Sequence, residues 1–152
     1  MTIYLDNCCY NRPYDDQSQL SVFLETQSKL HIQELIRQKK LSLAASYVLR
    51  YECEASPFEM RREAIRAYIQ ENAELYVGAE HKAEIEEKAH EIMRTGIKHY
   101  DACHVACAIR AGCDYFITTD KRLLKFRTSE IKIVTPIEFV LGLEAEENVR
   151  DK

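Results

Sequence analysis

Long apolar runs are missing from this 152-residue chain. No stretch approaches the roughly 20 consecutive apolar residues that a membrane-spanning helix needs. The opening Met-Thr-Ile-Tyr-Leu-Asp has neither the positive start nor the apolar centre of an export signal. Both absences lead to the expectation of a cytoplasmic protein with no membrane partner. Excess basic charge is also absent. The formal net charge is −4, which excludes a generally basic nucleic-acid binder while leaving room for a local basic patch. No internal repeat, low-complexity linker or G-x-x-x-x-G-K-[ST] phosphate loop occurs. The six cysteines, Cys8, Cys9, Cys53, Cys103, Cys107 and Cys113, include no C-x-x-C pair. With no sign of export they read as reduced thiols, mostly acting as small hydrophobes. Cys103 and Cys107 share a helical face with His104 next door, but this spacing is a weak zinc signal.

What is present fits one ordinary domain. Apolar residues make up 46% and charged residues 30% of the chain, enough to close a single core. Thr2 to Leu5, Leu41 to Ser46, Tyr115 to Thr118 and Ile131 to Val134 are short β-prone runs. Between them lie helical patterns. Ser18 to Lys40 repeats Leu20, Phe23, Leu24, Leu30, Leu35 and Ile36 near helical spacing, with Ser18 as the expected N-cap. Tyr47 to Glu54 and Phe58 to Gln70 flank Pro57, and Glu80 to Arg94 stops near Gly96. Residues 100–111 are apolar on almost every side and end at Gly112. Lys121 to Lys125 is a short basic turn of helix, and Pro136 starts the last helix. Asn11 to Asp16, with Pro13, reads as a loop. Short strands alternating with helices predict a three-layer α/β/α sandwich around a mostly parallel sheet of four or five strands. The expected domain is 1–143, with 144–152 a polar, frayed tail.

Carboxylates sit at the ends of these runs. Asp6 follows the first strand, and Asp120 follows the third after Thr118-Thr119. Asp101 begins the buried helix, and Glu52 lies six residues beyond Ser46, with Glu54 an equal competitor. Ligands in such sheets bind at the carboxyl ends of strands. An aspartate there is often only a turn former or helix cap, and Asp101 would also suit a helix dipole. The set says more than its members. Several carboxylates gathered within about 5 Å repel, and some take up protons unless a cation joins them. Hard oxygen donors suit Mg²⁺ or Mn²⁺. An ion so held lowers the pKa of bound water and stabilises charge on a phosphodiester, which is nuclease chemistry if the four acids converge. A phosphatase of the haloacid-dehalogenase type needs a second acid where Cys8 stands, and a response-regulator receiver needs an acidic pair that Asp6-Asn7 does not supply.

Four blocks resemble the PIN-domain nucleases, especially the small prokaryotic VapC-like toxins: "IYLDNCCYNRPYDD", "LAASYVLRYECEASP", "YDACHVACAIRAG" and "DYFITTDKRLL". The resemblance implies a Mg²⁺- or Mn²⁺-dependent endoribonuclease for single-stranded RNA, often a homodimer silenced by an antitoxin protein. It implies that Asp6, Glu52, Asp101 and Asp120 are the catalytic acids and hold the metal or its waters. Thr118 would orient Asp120, His104 would support the site or sit in the core, and Asn7 would touch substrate or water. Where the family often has Asn or Ser, two residues after the first acid, this chain has Cys8. Arg12, Lys121 and Arg122, with Lys125 and Arg127, are candidate contacts to RNA phosphates. Tyr10 and Tyr14 are candidate stacking platforms, or core residues. The alternative function is a catalytically silent binding or assembly module on the same fold.

Overall fold

In the computed structural model, which describes residues 1–150, the β-prone runs meet in one parallel sheet. The strands are β1 (Thr2–Leu5), β2 (Ser42–Ser46), β3 (Ala73–Val77), β4 (Tyr115–Ile117) and β5 (Lys132–Val134). Their spatial order is β3-β2-β1-β4-β5, so the first strand made lies in the middle. The helices are α1 (Asn7–Asn11), α2 (Leu20–Arg37), α3 (Tyr47–Glu54), α4 (Glu59–Asn72), α5 (Lys82–Met93), α6 (His99–Arg110), α7 (Lys121–Leu124) and α8 (Pro136–Arg150). The chain moves outward from β1 to β3, then returns to the other side of β1 for β4 and β5. Because parallel crossovers are right-handed, that reversal puts the helices before and after it on opposite faces. α2 packs on α8, and α5 packs on α6. The result is the expected α/β/α sandwich with five strands. No described helix is long and apolar enough to cross a membrane.

The core centres on β1, whose Ile3, Tyr4 and Leu5 have no solvent exposure. Tyr4 stacks on Phe116 of β4, with ring centroids 5.4 Å apart. Ala102 to Ala108 of α6 are all buried, which accounts for a helix that is apolar on nearly every side. Gly112 (φ +74°) and Gly96 (φ +101°) take left-handed backbone after α6 and α5, where a side chain would be strained. All six cysteines are free thiols.

Several details depart from the sequence expectations. β3 runs straight on from α4 with no Gly or Pro between them, and as an edge strand with Glu74, Leu75 and Tyr76 exposed it shows little apolar signature. Within the expected loop Asn11 to Asp16, Asn11 ends helix α1 and Arg12 to Tyr14 form a single 3₁₀ turn. The N-cap of α2 is Gln19, without a side-chain cap, and the Ser18 amide instead donates to Asp16 Oδ1. On α2 the apolar pattern located the helix but not its buried face. Leu20, Phe23, Leu24 and Leu30 are exposed, while Thr26, Lys29 and Gln33 are buried with Val22, Ile32 and Ile36. The buried Lys29 ammonium lies 5.5 Å from the Tyr10 ring centroid, and burial lowers its pKa to about 8. At the other end α8 continues through Arg150, so the described part of the expected tail, 144–150, is helical.

Phe116→Ala tests the centre of this packing. Removing a fully buried ring that stacks on Tyr4 is expected to cost about 3–5 kcal/mol of unfolding free energy, read as a lower urea midpoint with an unchanged slope.

Candidate active site

The register of β1 against β4 builds the first half of the site. Leu5 pairs with Ile117, so the next residues, Asp6 and Thr118, emerge together at the carboxyl ends of adjacent strands. The Asp6 amide donates to Ile117 O at 2.9 Å. Both side chains are buried. The Thr118 hydroxyl donates to Asp6 Oδ2 at 2.8 Å, and Asp6 Oδ1 accepts the Asn7 amide at 2.8 Å. The expected orientation of the Asp120 carboxylate by Thr118 is therefore corrected. Thr118 holds the Asp6 carboxylate, and reaches Asp120 only by accepting its backbone amide at 3.0 Å. Asp120 does cap α7, accepting the Arg122 amide at 2.8 Å through Oδ1. Cys8 Sγ lies 3.5 Å from Asp6 Oδ2 and 3.4 Å from Thr118 Oγ1, and accepts the Thr119 amide at 3.4 Å. A thiol thus joins the polar cluster where the resemblance anticipates an amide or hydroxyl.

The second half comes from β2 and α6. Ser46, the last residue of β2, caps α3 by accepting the Leu49 amide at 3.2 Å. Its hydroxyl meets Tyr4 OH at 2.6 Å, and Tyr4 OH meets His104 Nδ1 at 2.7 Å. His104 Nε2 meets Glu52 Oε1 at 2.9 Å. Burial pushes the His104 pKa down, but the Glu52 hydrogen bond and the charges of Asp6, Glu52 and Asp101 more than reverse that, and the net shift is upward. His104 is fully buried, yet its partners are side chains of the site rather than backbone. The choice between Glu52 and Glu54 is also visible. Glu54 points to solvent and pairs with Arg50 at 3.1 Å and Arg66 at 3.7 Å, whereas Glu52 faces His104.

Asp101 lies between these halves. Its pKa rises to about 6, first through burial and then through the charges of Asp6 and Asp120, with Glu52 adding and His104 opposing. The four carboxylates therefore share one electrostatic neighbourhood. None of the influences on Asp101 is a hydrogen bond. A half-buried carboxylate crowded by like charges and lacking a proton donor fits a cation better than it fits solitude. The all-oxygen donor set suits Mg²⁺ or Mn²⁺.

The other candidates divide. Lys121 and Arg122 directly follow Asp120 and are exposed, as are Lys125 and Arg127. Arg12 is not a free cation, for it pairs with Asp15 at 2.9 Å and lies 3.6 Å from Glu25. The Asn7 side chain accepts from Asn11 at 3.2 Å. Tyr10 is buried beside Tyr68 and is no stacking platform, while Tyr14 is half exposed with the Arg61 guanidinium 4.7 Å from its ring centroid. Tyr4 was not expected at the site, and Ser46 served in the sequence only to locate Glu52, not as a member of its support. No local signal marks them, because their partners are distant in the chain.

A family model described as PIN domain matches residues 18–128, which takes in Glu52, Asp101 and Asp120 but not β1 or Asp6. No curated protein matches. A chain in the crystal structure of VapBC2 from Rickettsia felis, bound to a DNA fragment from their promoter, shares the fold. The TM-score is 0.53 at 16% identity, covering 88% of this chain and 97% of that one.

The crowding at Asp101 makes a signed prediction. Its folded pKa of about 6 lies above the ordinary 3.8, so the folded chain holds this proton more tightly than the unfolded chain. That contribution is fully present below the unfolded value and is lost as pH rises through about 6. In EDTA at pH 8, Asp101→Asn is therefore expected to be more stable than wild type by on the order of 1 kcal/mol, after discounting for partial exposure. Parallel urea melts should show the gap closing towards pH 4.

Proposed function

The chain belongs to the PIN domain family, and on that footing we propose that it is a Mg²⁺- or Mn²⁺-dependent endoribonuclease for single-stranded RNA. The observation that carries this reading is Asp101, half buried amid the charges of Asp6, Asp120 and Glu52 and, among the described residues, without a side-chain hydrogen bond. Asp6, Glu52, Asp101 and Asp120 would hold the ion or its waters. When bound, it would supply hydroxide near neutral pH and shield the phosphodiester as charge builds in an in-line displacement. Thr118 holds the Asp6 carboxylate, and the Ser46–Tyr4–His104 chain holds Glu52. Lys121 and Arg122, exposed beside Asp120, would draw the RNA backbone to the acids.

The likeness to a chain of a VapBC complex supports a toxin role with an antitoxin partner, and the location in this proposal is the cytoplasm. The exposed stripe of Leu20, Phe23, Leu24 and Leu30 on α2 supports a homodimer, since an apolar stripe of this kind is stable when covered.

The decisive experiment incubates the purified chain with a pool of single-stranded RNA and Mn²⁺ or Mg²⁺. Cleavage is expected with metal and absent in EDTA. Asp120→Asn and Asp101→Asn should each lower the rate by at least about 100-fold, the upper end of what losing even an outer partner of a metal site costs. Cleavage indifferent to chelation and to both substitutions would overturn the proposal, and RNA binding without any cleavage would favour a silent module. A separate measurement addresses the basic residues. In EDTA, Lys121→Ala with Arg122→Ala should reduce the slope of log affinity against log salt by about 1.4, close to 0.7 for each lost phosphate contact on a single strand.

A further inference from the structure

On the side of α6 away from the acids there is a chemically different set of donors. His99 and Cys103 stand one turn apart on α6, and Glu86 reaches them from α5. Their ligand atoms all lie within 4.8 Å of one another. At 100° per residue, Asp101 projects about 180° round the helix from the midpoint of His99 and Cys103, so the two sets face opposite directions. We propose that Glu86, His99 and Cys103 form a second cation site, one for a borderline-soft ion of the Zn²⁺ class rather than for Mg²⁺.

Spacing and donor type carry the inference. Cys103 Sγ lies 3.5 Å from His99 Nε2 and 3.8 Å from Glu86 Oε1. Zinc bonds of about 2.3 Å to sulfur and 2.0–2.2 Å to nitrogen and oxygen imply tetrahedral edges of roughly 3.3–3.7 Å. Two of the three edges are therefore nearly preset. The third, His99 Nε2 to Glu86 Oε2 at 2.7 Å, is a hydrogen bond that would open by under about 1 Å as both atoms turn to a shared ion. A thiol, an imidazole and a carboxylate together suit zinc, whereas magnesium takes oxygen donors. The hydroxyl of Tyr47 is a further pointer. It is buried with no hydrogen-bond partner among the described residues, and Cys107, Cys103 and Glu86 are the titratable groups that raise its pKa after burial. A water in the fourth position of the ion would give that hydroxyl an acceptor or donor. These donors differ from the weakly signalled grouping of Cys103, Cys107 and His104 in the sequence, because His104 is turned to Glu52 and Tyr4.

Binding exchanges bonds simply. The Cys103 thiol releases its proton to solvent as the sulfur–metal bond forms, the Nε2 proton that His99 shares with Glu86 leaves to solvent while Nδ1 takes one up from solvent or keeps the one it has, and Glu86 enters as carboxylate. The ion would clamp α5 to α6 across the connection at residues 94–98, and this site stands or falls independently of the acid pocket.

Co²⁺ is the probe, added to the chelator-treated full chain and then displaced by Zn²⁺. The expected result is a near-ultraviolet sulfur-to-cobalt charge-transfer band that saturates at one equivalent, is abolished by Zn²⁺ and is unchanged in Asp101→Asn. Cys103→Ser should abolish the band. His99→Gln, at a half-exposed position with little folding risk, should weaken Co²⁺ binding at least 10-fold while leaving the far-ultraviolet circular dichroism intact. Absence of the band in wild type, or its persistence at full strength in Cys103→Ser or His99→Gln, overturns the site; persistence in Cys103→Ser would assign the sulfur to another cysteine, such as Cys8 beside Asp6.

Discussion

Asp6 and Thr118 leave adjacent parallel strands side by side, and the hydrogen bond between them sets the geometry on which the pocket depends. Without it a buried carboxylate would point into a space shared with other anions and have no side-chain partner but a weak thiol contact. With it, the same hydroxyl also receives the Asp120 amide, so one threonine ties the end of β1 to the start of α7. Two acids are thereby placed by backbone register, which is more rigid than any rotamer.

Glu52 depends on a second chain of contacts. Tyr4 of the central strand connects Ser46 with His104, and His104 holds Glu52. This is a wholly side-chain relay between β1, β2, α6 and α3, fully buried except at the glutamate. Such networks are valuable only when each member is satisfied, and here every link has a partner on both sides. Burial raises Asp101 and opposes the rise of His104, where the Glu52 hydrogen bond and the nearby charges together outweigh it, and the negative charges of Asp6 and Glu52 push both upward.

Much of this was legible in the sequence where the determinant is local. The β-prone runs, the acids that follow them, the turn at Gly112 and the start of α8 at Pro136 each depend on a few neighbouring residues. What was not legible depends on partners far away. Glu52 and Glu54 look alike until α4 brings Arg66 to one of them and α6 brings His104 to the other. Thr118 looked like a support for the nearby Asp120, yet its proton goes to a residue 112 positions earlier. Tyr4 reads as an ordinary strand residue, since its polar partners are 42 and 100 residues on. The apolar period of α2 was real but misaligned with the core, because the aromatic face of Tyr10 accommodates a lysine there. β3 was invisible for the opposite reason: an edge strand needs few apolar side chains.

The middle position of β1 bears on biosynthesis. Ile3, Tyr4 and Leu5 pair with Tyr115, Phe116 and Ile117, residues far along the chain from them. Closing so long a loop is slow, and it cannot start before β4 has been translated. Until that loop closes, Asp6 lacks the threonine hydroxyl that holds it, so the acids gather only when the two halves of the sheet have met.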